Sequence, residues 1–238
     1  MKIAICDDHK CVADELEQLI RKYKDEDMSK SECAYFPKPS LLFQYMQDEA
    51  VDIIFMDLEF EDKSEDGIVW LKKIKSNFPQ TVLIILTAFE NRYKEGYEAR
   101  AFRFMTKPIE EKELYNYLYV SIEELQMAEK ITFMRRGIAH DIFVRDICYI
   151  SVQSGRSEVW TINDMYGCEE SLVQWERRLP MTVFFRCHSK YIVNLARVTK
   201  FDNQFITLVS GEKVPVSRRK WRAFQLAYMK FDTKEFKM

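Results

Sequence analysis

Val51-Asp52-Ile53-Ile54-Phe55-Met56-Asp57 is an apolar run broken only by Asp52 and closed by a carboxylate. It is too short for a typical helix and is bounded by polar residues, which reads as a strand buried on both faces. Working outward, the same pattern recurs. Upstream, Lys2–Cys6 runs into Asp7-Asp8, and Cys33–Phe36 is a second short strand. Downstream, Thr81–Leu86 is rich in β-branched residues and ends at Thr87, and Phe102–Thr106 ends at Lys107. Helical spacing fills the intervals: Val12, Leu16, Leu19, Ile20 and Tyr23; Leu41, Leu42, Tyr45 and Met46 after Pro39-Ser40; Ile68, Leu71 and Ile74 from about Asp66. A further helix is expected near Asn91–Arg100, and the last, after Pro108, carries Leu114, Leu118, Ile122 and Leu125. Five β-α units in succession predict an α/β doubly wound, five-stranded parallel sheet with helices on both faces. Ligands bind such sheets beyond the carboxyl ends of the strands. Asp7, Asp8, Asp57, Thr87 and Lys107 are therefore expected at one edge.

Three clustered carboxylates repel one another unless a cation sits among them. Oxygen ligands with room for water suit Mg²⁺, or Mn²⁺ in its place. With such an ion, Asp57 becomes a carboxylate nucleophile for a phosphoryl group, Lys107 a point charge for one of its oxygens, and Thr87 a hydroxyl donor to another. Taken alone, Asp7-Asp8 reads as a strand-end turn and Lys107-Pro108 as ordinary helix entry. Together, in order at strand ends, they describe a site.

The set Asp7-Asp8, Met56-Asp57, Thr87-Ala88 and Lys107-Pro108 resembles the receiver domain of bacterial response regulators, a flavodoxin-like fold, here over residues 1–126. The resemblance implies that Asp57 accepts a phosphoryl group from a sensor histidine kinase. It implies that Asp7, Asp8, Asp57 and the backbone carbonyl of Glu59 hold the metal. It also implies that Thr87 and Phe104 form a switch pair. One departure is visible: the family's short loop after the phosphoacceptor is replaced by the longer, acidic Leu58-Glu59-Phe60-Glu61-Asp62-Lys63-Ser64-Glu65-Asp66-Gly67.

Beyond Lys130 helical periodicity fades. Short strands are expected at Ile142–Val144, Cys148–Val152, Glu158–Ile162, Ile192–Leu195, Phe205–Val209 and Lys213–Val216, with one helix around Cys168–Arg178. Ser154-Gly155, Asp202-Asn203 and Ser210-Gly211 read as turns. Charge divides the same way. Residues 130–238 carry 19 Lys and Arg against 11 Asp and Glu, net +8, leaving 17 against 27, net −10, for residues 1–129. A basic half joined to an acidic half points to nucleic acid as a partner of the second.

Two segments in this half carry the pattern. Phe184-Phe185-Arg186-Cys187-His188-Ser189-Lys190-Tyr191-Ile192-Val193-Asn194 reads as a turn holding Arg186, His188 and Lys190 outward before an apolar strand. Val216-Ser217-Arg218-Arg219-Lys220-Trp221-Arg222 is a second basic cluster. Arginine suits bidentate contact to guanine, and lysine adds phosphate attraction. These segments resemble the LytTR domain, a mainly β DNA-binding fold, here over residues 131–238. By that resemblance Arg156, Ser157, His188, Ser189 and Arg218 are candidate base readers, with Arg186, Lys190 and Arg219 beside them. Arg219, Lys220 and Arg222 fit a solvated helix face or phosphate contacts equally well. Asn194 reads as a turn or cap, and Trp221 as core.

Together the resemblances imply a cytoplasmic, phosphorylation-dependent transcriptional regulator that acts as a homodimer on double-stranded promoter DNA and is no turnover enzyme. No run approaches the ~20 apolar residues of a membrane span, and the first residues reach acids too soon for a signal peptide. Cys6, Cys11, Cys33, Cys148, Cys168 and Cys187 lack paired metal spacing and read as buried free thiols, with Cys187 notable for its place among the basic residues. Two rival readings remain: a phosphatase with an aspartyl-phosphate intermediate, and an output domain for protein or RNA.

Overall fold

The computed structural model of the 238-residue chain describes residues 1–23, 31–88, 101, 103–153 and 155–235, the last three without their side chains. The helix expected near Asn91–Arg100, and residues Phe102 and Ser154, lie outside the described residues. Two compact units divide between Leu125 and Gln126.

In the first unit, β1 (Lys2–Cys6), β2 (Glu32–Phe36), β3 (Ile53–Asp57), β4 (Val82–Thr87) and β5 (Arg103–Thr106) pair in parallel in the order β2-β1-β3-β4-β5. The order reverses between β1 and β3, where a doubly wound sheet opens a crevice for ligands. Side chains of β1, β3 and β4 alternate between two cores. Ile3, Ile5, Ile53, Phe55, Ile84 and Leu86 pack against α1 (Lys10–Lys22) and α4 (Glu111–Ala128) through Leu16, Ile20, Leu114 and Leu118. Ala4, Cys6, Ile54, Met56, Leu83 and Ile85 face α2 (Pro39–Tyr45) and α3 (Gly67–Asn77) through Leu42, Leu71 and Ile74. Burial on both faces is why these strands read as continuous apolar runs.

The start of α3 is set by Asp66, whose Oδ1 accepts from the Ile68 and Val69 amides at 2.9 and 3.2 Å. Gly67 follows for a steric reason. A Cβ there would lie 2.5 Å from the Asp57 carbonyl oxygen and 2.7 Å from Leu58 Cα. Both are backbone atoms that cannot swing aside, so helix and strand end approach this closely only over glycine.

In the second unit the main sheet runs β10 (Met165–Cys168), β9 (Arg156–Thr161), β8 (Ile147–Gln153), β12 (Tyr191–Asn194), β11 (Phe184–His188). A three-stranded sheet orders β13 (Val198–Phe201), β14 (Phe205–Leu208) and β15 (Lys213–Pro215), and β6 (Lys130–Arg135) pairs with β7 (Ile138–Phe143). The helices are α5 (Leu172–Arg178) and α6 (Trp221–Glu235). Several expectations are corrected. The segment Phe184–His188 is a strand, and only Ser189-Lys190 turn. The helix expected from Cys168 begins at Leu172, capped by Ser171, because Cys168 ends β10. The strand expected at Ile142–Val144 starts earlier, at Ile138, and stops at Phe143. It pairs with β6 across a two-residue turn in which Arg136 and Gly137 both take positive φ, 51° and 78°. Such a turn matches strand twist, yet Arg-Gly is a weak signal beside Asn-Gly. Of α6 the sequence indicates only the start, as the helix face weighed at Arg222, and the rest of the helix is not expected from it. Among the described residues no helix is long and apolar enough to cross a membrane.

Gly67→Ala is expected to lower the unfolding free energy by about 2 kcal/mol or more, measured by urea denaturation. An unchanged midpoint would show that the Asp57–Leu58 backbone yields freely.

Candidate functional site

The carboxyl ends of β1, β3 and β5 deliver Asp7, Asp57 and Lys107 to one place. Lys107 Nζ donates to Asp57 Oδ2 at 2.6 Å and to Asp7 Oδ2 at 2.7 Å, although the three residues are 50 and 100 positions apart. Asp7 is fully buried and Asp57 is 7% exposed. Burial pushes the Asp7 carboxyl above the ordinary aspartate range, against the Lys107 ammonium and the His9 amide, which pull it down. For Lys107 burial opposes the charged form, but its hydrogen bonds to Asp57 and Asp7 prevail and raise it. One ammonium thus serves two acids, and Asp7 remains under-compensated.

Asp8 stands beside them, partly exposed. Its Oδ2 accepts from the Glu61 amide at 2.7 Å and its Oδ1 lies 2.8 Å from His9 Nδ1. Ligand atoms of Asp7, Asp8 and His9 lie within 4.8 Å of one another. The sequence reading missed His9, which resembles any exposed helix-entry residue. The hard carboxylate oxygens of Asp7 and Asp8, with residual negative charge beside open space, fit a divalent cation of the Mg²⁺ kind. The open space is a cavity of about 380 Å³ whose walls include Asp8, His9, Asp57, Glu59, Lys63 and Lys107. The Glu59 amide donates to Asp57 Oδ1 at 3.1 Å, so the acidic loop turns directly over the carboxylate.

Thr87 is fully buried at the end of β4, one residue behind the Ala88 that lines the cavity. Phe104 pairs with Ile85 on the neighbouring strand and packs, half-buried, on the α2–α3 side of the sheet.

The basic residues of the second unit converge as well. β12 pairs with β8 so that Tyr191 faces Ser151, and the Val152 amide donates to the Lys190 carbonyl at 3.0 Å. The 188–191 turn is thereby held beside the end of β8, where Gln153 faces Arg156. The Ser217 amide donates to the Cys187 carbonyl at 3.0 Å, which draws the 217–220 turn to the same end. Arg156, Ser189, Lys190, Arg218 and Arg219 are all exposed there. His188 Nδ1 accepts from the Lys190 amide at 3.2 Å. That bond places the proton of the neutral ring on Nε2, leaving it a donor.

Two expectations about this surface change. Ser157 is 1% exposed and its hydroxyl donates to the Glu170 carbonyl, because the second residue of β9 points into the sheet's packed face. It is a structural residue and leaves the candidate base readers. The Arg186 guanidinium is committed to Glu176 Oε2 at 2.6 Å and to the Ser189 carbonyl at 3.1 Å, so it braces the turn. Cys187 is the buried free thiol expected, pushed up to about 12 by burial, whereas Cys11, expected to be buried, is exposed on α1. Asn194, expected as a turn or cap, is a cap: its Oδ1 accepts from the Ala196 amide at 3.0 Å, and its amide group donates to the Ile147 carbonyl at 2.8 Å.

Residues 3–119 match the response regulator receiver domain and residues 139–229 match the LytTr DNA-binding domain. The chain is similar to the sensory transduction protein LytT of Bacillus cereus, 26% identical over 240 residues spanning 92% of this chain and 95% of that protein. It is also similar to the transcriptional regulatory protein YpdB of Escherichia coli, 23% identical over 245 residues spanning 94% and 98%. The solved response regulatory domain of mrkE from Klebsiella pneumoniae aligns with 53% of this chain and 98% of its own, at 24% identity and a TM-score of 0.47.

Ser157→Ala is expected to cost about 1–2 kcal/mol, the loss of a buried hydroxyl whose carbonyl partner is then stranded. Affinity of the folded fraction for double-stranded DNA should not move. Thermal denaturation and gel-shift titration check the pair of outcomes, and lost binding at unchanged stability would return Ser157 to the interface.

Proposed function

Because the chain belongs to the response regulators, with a receiver domain followed by a LytTR DNA-binding domain, we propose that it is a phosphorylation-dependent transcriptional regulator whose phosphoacceptor is Asp57. The observation that carries this reading is the Lys107 ammonium bridging Asp57 and Asp7 at the rim of the acidic cavity. Asp57 presents one carboxylate oxygen to Lys107 and the other to the Glu59 amide. Its orientation is therefore set before any phosphoryl donor arrives, and orientation is a large part of phosphoryl-transfer catalysis.

The donor is the phosphohistidine of a sensor kinase. Asp7 and Asp8, with Asp57 and the Glu59 carbonyl, would hold Mg²⁺ or Mn²⁺, which supplies neutralisation of charge on the transferring group. Lys107 takes a phosphoryl oxygen, and the protein consumes one phosphoryl group per activation without turning over a substrate. The phosphoryl group adds about −1.5 to −2 charge at the strand ends. Thr87 and Phe104, on adjacent strands, are the pair through which that charge changes the receiver surface, which favours a homodimer.

The dimer presents two output domains to double-stranded promoter DNA. Arg218, His188, Ser189 and Arg156 are the candidate base readers; Lys190 and Arg219 take phosphates. Rigid turns on a sheet edge suit this task, since each side chain leaves a backbone already fixed by hydrogen bonds.

Asp57→Asn is expected to abolish the phosphoprotein band on a phosphate-affinity gel, as is chelation of divalent metal; undiminished labelling of the variant would remove the central assignment. Arg218→Ala should weaken the preferred site by about 1–3 kcal/mol relative to random DNA. Lys190→Ala should weaken both alike and reduce the salt slope by about 1. Equal discrimination by Arg218→Ala and wild type, read by titration at several salt concentrations, would exclude Arg218 as a base reader.

A further inference from the structure

The stretch between Asp57 and α3 holds one lysine among the acids Glu59, Glu61, Asp62, Glu65 and Asp66. That lysine, Lys63, lines the same cavity as Asp57 and Lys107. The acids beside it are engaged elsewhere. Asp62 accepts from Ser64, through hydroxyl and amide at 2.6 and 3.1 Å, and from Lys38 Nζ at 2.9 Å; these bonds, the hydroxyl's foremost, hold its carboxyl down at about 2. Glu65 is buried and accepts from the Ser40 hydroxyl and from its amide. Asp66 caps α3. On the other side Phe60 is buried in the core and the Glu61 amide is held by Asp8. The chain is therefore pinned before and after Lys63, while among the described residues no group accepts from its ammonium.

We propose that Lys63 is a second phosphoryl-binding cation, which takes an oxygen of the incoming donor and retains it on phosphorylated Asp57. This rests on Asp57 being the phosphoacceptor. The cavity needs such a group for an electrostatic reason. Asp8, Glu59 and Glu61 all border it, and a phosphoryl donor is itself an anion. Lys107 already divides its charge between Asp7 and Asp57. An ammonium on the lengthened loop, without a partner among the described residues, offsets the repulsion that the loop's own acids create. With a small acyl phosphate, an Asp57 oxygen forms the bond to phosphorus as the bond from phosphorus to the acyl oxygen breaks. The acyl carboxylate leaves with the electron pair and no proton moves. Lys63 touches only the non-bridging oxygens.

The test uses the full chain with Mg²⁺ and acetyl phosphate, comparing wild type with Lys63→Ala, Lys63→Arg and Lys63→Glu. One lost charge-assisted hydrogen bond corresponds to a rate about tenfold lower at subsaturating donor for Lys63→Ala. A larger fall is expected for Lys63→Glu, and near-complete rescue by Lys63→Arg. Affinity for beryllofluoride, a phosphoryl mimic read by calorimetry, should fall in parallel while the melting temperature holds. Equal rates and equal beryllofluoride affinity in Lys63→Ala and wild type would overturn the proposal, as would failure of arginine to rescue or a matching loss of stability. Absence of label on wild-type Asp57 would instead defeat the phosphoacceptor reading beneath it.

Discussion

The Lys107 ammonium bridges two buried or nearly buried carboxylates, Asp7 and Asp57. Two acids at the ends of adjacent strands repel in a medium that screens charge poorly, and removing the cation would leave each with only a backbone amide, His9 for Asp7 and Glu59 for Asp57, to offset its charge. The parallel sheet exists around that constraint. β1 and β3 pair directly, which puts their acids side by side, and β5 is brought to the same edge through β4. The apolar runs beneath, sealed on both faces, supply the stability that lets the strand ends carry unfavourable charge. Such a site is poised: Asp7, held above its ordinary range by burial, gains from any further cation.

The lengthened acidic loop belongs to the same electrostatic problem. Its Glu61 amide ties down Asp8, its Glu59 amide ties down Asp57, and its Glu65 carboxylate is anchored at Ser40 in the first turn of α2. What looks from composition like a solvated run of charge is a structured rim. Gly67 closes it, because α3 must begin within contact distance of the Asp57 carbonyl.

In the second unit the organising bonds are between backbones. Val152 to Lys190 and Ser217 to Cys187 bring three turns to one end of the sheet. Side chains then divide by direction. Those pointing along or away from the edge, Arg156, Lys190 and Arg218, stay exposed, while Ser157 and Cys187 alternate inward. Arg186 sits between the two groups and spends its charge on Glu176. The excess of positive charge over residues 130–238 is thus partly structural, and only the unpaired portion is available for phosphates.

The sequence alone determined the five parallel strands of the first unit, the residues at their ends and the identity of both resemblances. Doubly buried strands leave an unmistakable apolar signature, and the chemistry at their ends needs particular residue types in a particular order. It also marked Asn194 as a turn or cap residue, and the structure makes it the cap. Tertiary structure alone decided which polar residues face outward. On half-buried antiparallel strands, a change of one position in register exchanges inside for outside, so Ser157 and Arg186 could be placed only once β9 had paired with β8 and α5 had brought Glu176 alongside. The same holds for His9 and Lys63. Each is an unremarkable exposed residue until the fold sets it on the wall of a cavity with Asp57, because what gives them meaning is proximity across the chain rather than any local pattern.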